Sequence, residues 1–399
     1  MDGIFTSEKN ITIIWKKRDT DTMRMFVVGV IIITIGILFG ILAAYPYFYY
    51  LLKIRAPQPR FIPQKSTKYP RISIVINAYK EGELVAERIK DICKTEYPLD
   101  RITLYVFNDG ADSETSTAAK SVLPTCPFET HLIEPENRLG KTACQNIAIS
   151  LISEEIIIFT DADITTKSDA LLRLVDALSG ENVGAVCADL IPVGSNSSVA
   201  GSETAYRSVY GKMCEYDSFV DSTYNFNGPL IAFKKTAVPH VEEKRGADDA
   251  NLALTCIRNG FRALYVSDAV AFELQPISLK EQFSQKIRRA DGLVNSTRLF
   301  KDAGKNSNRI FWTETFPKRK WMLLYSPILF ILATLFGLIG AFFLSPVLGG
   351  VLLMVCAAGI VFTLLNPKHL ISSFLMNQFF LTVGLVRRKN ILQWERVQK

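Results

Sequence analysis

The chain has 399 residues, 48% of them hydrophobic, and a formal net charge of +7. That length suits one domain of about 250 residues plus membrane segments. Seven cysteines without paired spacing argue against a disulfide scaffold, three histidines argue against a zinc centre, and the absence of interleaved basic and aromatic residues argues against a nucleic-acid partner.

In chain order, residues 1–24 read as a polar tail. Residues 25–52 are nearly uncharged and long enough to cross a bilayer as a retained anchor, with Pro46 inside and Tyr45, Tyr47, Phe48, Tyr49 and Tyr50 as an interfacial belt. A proline-rich linker, residues 53–70, should be extended. A strand–helix rhythm follows. Strands are expected at Ile72–Ile76, Ile102–Phe107, His131–Glu134 and Ile156–Asp163. Helices are expected near Leu84–Thr95, from Asp112 to Lys120 and from Lys141 to Leu151. This alternation predicts an α/β fold with a mostly parallel sheet.

The second half is more mixed. It reads as a strand at Val183–Leu190, a helix at Ser202–Phe219 and a turn and strand at Asn227–Phe233. A helix starts at Ala247-Asp248-Asp249 and is closed by Gly260. Two short strands, Ala263–Val266 and Val270–Glu273, precede a basic helix at Leu279–Phe300. Residues 301–321 form an interfacial segment, in which Trp312 and Trp321 are anchors, as is Trp394 nearer the C-terminus. Residues 322–365 read as a transmembrane hairpin turning at Ser345-Pro346. Residues 366–399 hold an apolar stretch, Leu370–Val386, that lies in the interface or crosses, followed by a basic tail. Lys53, Arg55 and Lys318-Arg319-Lys320 place the central region in the cytoplasm by the positive-inside rule, while Lys16, Lys17, Arg18 and Arg24 pull the other way. The expectation is an integral membrane protein, in the plasma membrane, whose basic flanks meet anionic lipid.

The chemistry concentrates at a few turns. The apolar run Ile156–Thr160 ends in Asp161-Ala162-Asp163, and strand alternation would point both carboxylates the same way. Two hard oxygen ligands at the carboxyl edge of a parallel sheet suit Mg²⁺ or Mn²⁺ holding a diphosphate, although a solvated turn uses the same residues. Lys141 at a helix start opposes the helix dipole and so calls for an anion nearby. Asp248 and Asp249 could be helix caps or could supply a general base.

Six motifs in order resemble the family 2 glycosyltransferases over about residues 70–300. The resemblance is to the membrane-integrated branch with the cellulose, hyaluronan and poly-N-acetylglucosamine synthases. The motifs are Asn77-Ala78-Tyr79-Lys80-Glu81, Asn108-Asp109-Gly110-Ala111-Asp112, Gly140-Lys141 to Asn146, Asp161-Ala162-Asp163, Asp248-Asp249, and Gln285-Lys286-Ile287-Arg288-Arg289. The resemblance implies a GT-A-type domain over 71–300 and a nucleotide-sugar donor, a UDP-sugar. It also implies metal-dependent single displacement with inversion. Asp163 would bind Mg²⁺ or Mn²⁺ directly, and Asp161 through water or by holding the ribose and sugar. Ala78, Tyr79, Glu81 and Asp109 would frame the nucleotide, and Asp109 would sit by its base or ribose. Lys141 and Arg288 would meet the diphosphate, with Gln285 and Arg289 beside them. Asp249 would be the base, with Asp248 in support.

Arg289 stands where the polymer synthases carry Trp. With the few membrane spans, this favours transfer of single sugars to a lipid, such as a polyprenyl phosphate or glycolipid, over elongation of a polysaccharide. A secreted polymer would need a homo-oligomer to widen the channel. A competing reading is a non-catalytic nucleotide-sugar-binding or scaffold protein, which should lack a metal ligand or the base; Asp161, Asp163 and Asp249 are all present.

Overall fold

The computed structural model describes residues 5–55, 69–193, 198–243, 245–274, 279–366 and 369–387. Most of the proline-rich linker, Trp394 and the Arg388-Lys389 pair lie outside the described residues.

Helix α1 (Phe5–Lys53) takes in most of the segment read as a polar tail. The sheet domain then builds as strand and helix in turn: β1 (Ile72–Ala78), α2 (Glu83–Ile92), β2 (Ile102–Asn108), α3 (Ser113–Val122), β3 (Glu129–Ile133), α4 (Lys141–Leu151) and β4 (Ile156–Asp161). β1 pairs parallel with β2 and β4, and β2 with β3. The remaining elements are β5 (Ile164–Thr166), α5 (Ala170–Leu178), β6 (Val183–Val193), α6 (Ser198–Val220), β7 (Leu230–Lys234), α7 (Asp248–Arg258), β8 (Arg262–Leu274) and α8 (Leu279–Leu299).

The strand order is β3-β2-β1-β4-β7-β6-β8-β5. β7 runs antiparallel to both β4 and β6, β5 is antiparallel to β8, and β6 is parallel to β8. The sheet is therefore mixed, and its parallel half is the one the strand–helix rhythm announced. The two short strands expected at 263–273 are one strand, β8, with a register irregularity opposite Ala188/Asp189.

β1, β2 and β4 are buried on both faces, whereas β3 at the sheet edge is partly exposed. Ile72, Ile74, Ile76, Leu104 and Ile158 face one apolar cluster that also takes in residues of α2, α3 and α5. Val75, Phe107, Ile157 and Phe159 face the other, with residues of α4 and α7. Antiparallel β7 brings its start to the carboxyl end of β4, where the Asp161 amide donates to the Pro229 carbonyl at 3.0 Å. That pairing delivers Gly228 to the sheet edge where β1 and β2 also end.

The C-terminal region begins with α9 (Phe316–Lys320) between two π-helical turns, followed by α10 (Ser326–Leu344), α11 (Pro346–Leu365) and α12 (Leu370–Val386). Among the described residues, three helical stretches are long and apolar enough to cross a membrane: Thr22–Lys53, Phe311–Leu344 and Pro346–Leu365. α1 and α10 approach backbone to backbone. A Cβ on Gly340 would lie 2.9 Å from the Gly29 carbonyl oxygen, and one on Gly36 would lie 3.0 Å from the Gly337 nitrogen. Small residues permit this contact in a bilayer. α12 is apolar outward at Leu370, Ile371 and Phe379, and buries Ser372, Ser373 and Gln378 inward. An interfacial helix facing water would show the opposite pattern.

One buried ion pair ties the sheet domain to these helices. Asp217 of α6 accepts from Arg319 Nε at 2.7 Å and from the Tyr50 hydroxyl at 2.7 Å. Both charged side chains are almost fully buried. Removing one partner strands the other charge. Arg319→Met is expected to cost about 3–5 kcal/mol, read as a lowered unfolding midpoint in detergent. Adding Asp217→Asn should recover most of that loss, and an unchanged midpoint in the single variant would contradict the pairing.

Candidate active site

The site forms where β1, β2 and β4 end and α4, α7 and α8 begin or pass. After β1 the chain turns through Lys80 and Gly82, both with positive φ, at +55° and +54°. Gly82 combines φ +54° with ψ −130°, a conformation that a side chain disfavours, so the turn requires glycine. Tyr79 lies in this turn with the Arg138 guanidinium stacked 3.7 Å from its ring centroid.

Asp109 follows β2 and is 4% exposed. Its carboxylate accepts from the amides of Leu139 at 2.6 Å and Gly140 at 2.9 Å. Those two bonds fix the loop that leads into α4 and set Lys141 at the helix start. Asp109 lines the cavity, and the structure gives it this loop-holding role.

Lys141 reaches two carboxylates. Its ammonium donates to Asp161 Oδ1 at 2.7 Å and lies 3.2 Å from Asp248 Oδ2, which also accepts from Gln145 Nε2 at 3.1 Å. The anion that the helix start calls for is thus supplied in part by the protein. Burial opposes the charge on Lys141, but Asp161 and Asp248 outweigh it and hold the group protonated. Burial likewise pushes Asp248 up, and Lys141 more than offsets it, so Asp248 titrates low.

Asp248 and Asp249 do not cap α7. Ala247 holds the cap position, with no side-chain hydrogen bond there. Asp249 accepts only a local bond from the Ala250 amide at 2.7 Å, and its other oxygen, Oδ2, would lie 3.1 Å from a Cβ on Gly228. Burial, and next the negative charge of Asp248, push the Asp249 carboxyl up to about 7. On α8, Arg289 donates to Glu273 at 2.7 Å. Arg288 is lowered to about 10 by burial and by Arg289, with Asp161 and Asp248 opposing.

β4 ends at Asp161, so Asp163 stands in the turn before β5 and does not share a strand face with Asp161 as the alternation predicted. A tight turn, instead of one more strand pair, brings Asp163 to the same cavity. That cavity has a volume of about 510 Å³. Ala78, Tyr79, Glu81, Asp109, Lys141, Asp161, Asp163, Asp248, Asp249, Gln285, Arg288 and Arg289 all line it.

Several lining residues escaped the sequence reading. Asn225 is 3% exposed, and its amide oxygen has no hydrogen-bond partner in the structure. Asn77, which the sequence named as the start of the first motif but gave no role, buries both polar atoms of its amide without a partner. Arg138, Gly228 and Glu273 complete the wall. Gly228-Pro229 before an apolar run was the one local signal; the others are visible only once strands from both halves meet.

The donor set fits a hard divalent cation in one way. Among the described residues no group of three or more His, Cys, Asp or Glu side chains could hold a metal. Asp161 and Asp163 supply two carboxylates, and Mg²⁺ or Mn²⁺ binds with one or two carboxylates plus substrate phosphates.

The model of the glycosyltransferase-like family 2 matches residues 70–292, more than half of the chain. The chain belongs to this family. Among curated relatives it is 23% identical over 265 residues to an N-acetylglucosaminyltransferase of Rhizobium meliloti (strain 1021), covering 62% of this chain and 61% of that one. It is 30% identical over 122 residues to a beta-monoglucosyldiacylglycerol synthase of Nostoc sp., covering 29% of this chain and 25% of that one. The alignments span about 55–64% of the length of the first N-acetylglucosaminyltransferases matched. Among solved structures, mannosyltransferase PcManGT from Pyrobaculum calidifontis in complex with GDP-Man and Mn²⁺ superposes with a TM-score of 0.73 at 23% identity. That match covers 89% of this chain and 98% of the other. The family's GT-A-like fold is thereby shown for the mixed sheet and its flanking apolar helices.

Asp249 should be directly observable. In infrared titration, the carboxyl band present in wild type and absent in Asp249→Asn is expected to lose its proton near pH 7. In Asp248→Asn the neighbouring charge is gone, and the midpoint should move to lower pH. A midpoint near 4 in wild type would contradict the placement.

Proposed function

We propose that this protein is a membrane-bound inverting glycosyltransferase. It takes a sugar from a cytoplasmic nucleotide sugar, a UDP-sugar, and transfers it to a lipid-linked or polysaccharide acceptor. The observation that carries this reading is the single cavity shared by a two-carboxylate diphosphate end, Asp161 and Asp163, and a buried carboxyl, Asp249, poised to take a proton. The names of the N-acetylglucosaminyltransferase relatives favour an N-acetylhexosamine donor, and the neighbour's GDP-Man complex favours a nucleoside-diphosphate sugar in general.

The chain's residues divide the work. Tyr79, backed by Arg138, walls the nucleotide. Asp109 holds the loop that sets Lys141. Lys141 and Arg288 offer positive charge to the diphosphate as its bond to the sugar breaks, Arg in the bidentate geometry that suits phosphate oxygens. Asp163 and Asp161 would hold Mg²⁺ or Mn²⁺, which when bound would supply Lewis-acid neutralisation of the diphosphate charge. Asp249 accepts the proton of the acceptor hydroxyl as its oxygen bonds the anomeric carbon. Asp248, fixed by Lys141 and Gln145, keeps Asp249 basic enough for that task. A single displacement of this kind inverts the anomeric centre. The basic residues flanking the apolar helices, Lys53 and Lys318 to Lys320, support a cytoplasmic catalytic domain.

The test is nucleoside diphosphate release by nanodisc-embedded protein over a panel of UDP- and GDP-sugars with Mn²⁺ or Mg²⁺. One donor should be consumed, and Asp249→Asn should slow release by roughly 10²–10⁴-fold, the range for loss of a general base. Because the base must be ionised, the rate should rise with pH to about 7 and level off above it. Donor binding without release would favour the scaffold reading, and release unchanged in Asp249→Asn would remove Asp249 from the role.

A further inference from the structure

The cavity does not stop at the catalytic carboxylates. It continues past Asp291 and Asn295 of α8 to the membrane helices, where Tyr47 of α1, Met322, and Ser373, Phe374 and Asn377 of α12 line it. α12 is held close as the far wall. A Cβ on Gly384 would lie 3.0 Å from the Asp291 nitrogen, and Phe283 of α8 packs edge-on to Phe380 at 5.3 Å. The polar residues that α12 gives this wall are Ser373 and Asn377; Ser372 and Gln378 are buried but do not line it, and Gln378 donates to the Tyr47 hydroxyl at 2.7 Å. Polar residues lining a cavity from a helix with an apolar outer face mark a substrate path within a membrane.

From this continuity we infer that the acceptor is a bilayer lipid with a free hydroxyl on its headgroup. It enters alongside α12 at Phe374, which packs on Tyr47 of α1 at 5.0 Å and on Phe330 of α10 at 5.9 Å and must shift to admit it, with its headgroup reaching Asp249 and its chains remaining among the apolar helices. This rests on the transferase reading above and deepens it.

Two observations carry the choice of occupant. A water-soluble acceptor has no use for a passage that ends between apolar helices, whereas a lipid must have one. A neutral hydroxyl needs a base to take its proton, which Asp249 supplies; a lipid phosphate is already ionised and needs none. In the reaction the hydroxyl proton passes to Asp249 and the oxygen bonds the anomeric carbon. The bond from that carbon to the diphosphate oxygen breaks, and its electron pair leaves with the nucleoside diphosphate.

The experiment follows both the donor and the sugar. Protein in phosphatidylcholine nanodiscs is given radiolabelled donor with one of four acceptors: diacylglycerol, a monoglycosyl diacylglycerol, a polyprenyl phosphate, or a soluble oligosaccharide. Nucleoside diphosphate release and organic-phase label are read together. The expected result is label in the organic phase with a hydroxyl-bearing lipid. Ser373→Phe and Asn377→Leu, which narrow or dry the passage, should each raise the half-saturating lipid content at least tenfold. Val351→Phe, on the outer face of α11 (46% exposed), should not. Donor consumption with label only in the soluble oligosaccharide, or only in the polyprenyl phosphate, overturns this inference and leaves the transferase reading standing. No donor consumption with any acceptor overturns both. A normal lipid response in both α12 variants also overturns the route.

Discussion

The Lys141 ammonium is the constraint on which this site depends. It sits between Asp161, at the end of β4, and Asp248, at the start of α7. Those two residues belong to different halves of the domain, and their carboxylates would repel in a buried pocket. One cation bonded to both makes their approach favourable and draws the carboxyl end of β4 onto the helix that carries Asp249. The same ammonium settles Asp248 as an anion, and that anion in turn raises its neighbour. A helix start occupied by lysine is costly by itself. Here the cost is met by the carboxylates already present, and a diphosphate would add to them.

A second constraint sets the domain on its apolar helices. Asp217 and Arg319 form a pair with almost no exposure, steadied by the Tyr50 hydroxyl. Such a pair contributes little net stability against an apolar replacement, yet either charge alone would be expensive. Its effect is geometric. It fixes α6, α1 and α9 to one another, and so fixes how the cavity meets α12. The GT-A-like domain and the apolar helices therefore act as walls of one continuous space.

Much of this was legible in the sequence, for identifiable reasons. The parallel half of the sheet showed itself because strands buried on both faces are continuous apolar runs, as at Ile156–Thr160, and each ends in turn residues. The apolar helices showed by length alone. Ala78, Asp109, Lys141, Asp161 and Asp248 were found because each lies at a strand end or helix start, whereas Gln285, Arg288 and Arg289, inside α8, came from the family resemblance alone. The antiparallel insertion of β7 was not legible, because a five-residue apolar strand carries no mark of its direction. Nor was the turn that takes Asp163 off the strand, since Asp-Ala-Asp suits both. Helix α5 went unread despite its apolar face, and Arg138, Asn225 and Glu273 gain meaning only from contacts made across the fold. The inward polar face of α12 was visible as Ser372, Ser373, Asn377 and Gln378, but which way it pointed required the neighbouring helices.

The central claim is that Asp249 deprotonates the acceptor while the donor's diphosphate departs from the opposite face in one displacement. The most direct test is the anomeric configuration of the first product formed, read by proton NMR from the coupling of the anomeric hydrogen. The account predicts the configuration opposite to that of the donor. Retained configuration would require two displacements or front-face attack, and would contradict it.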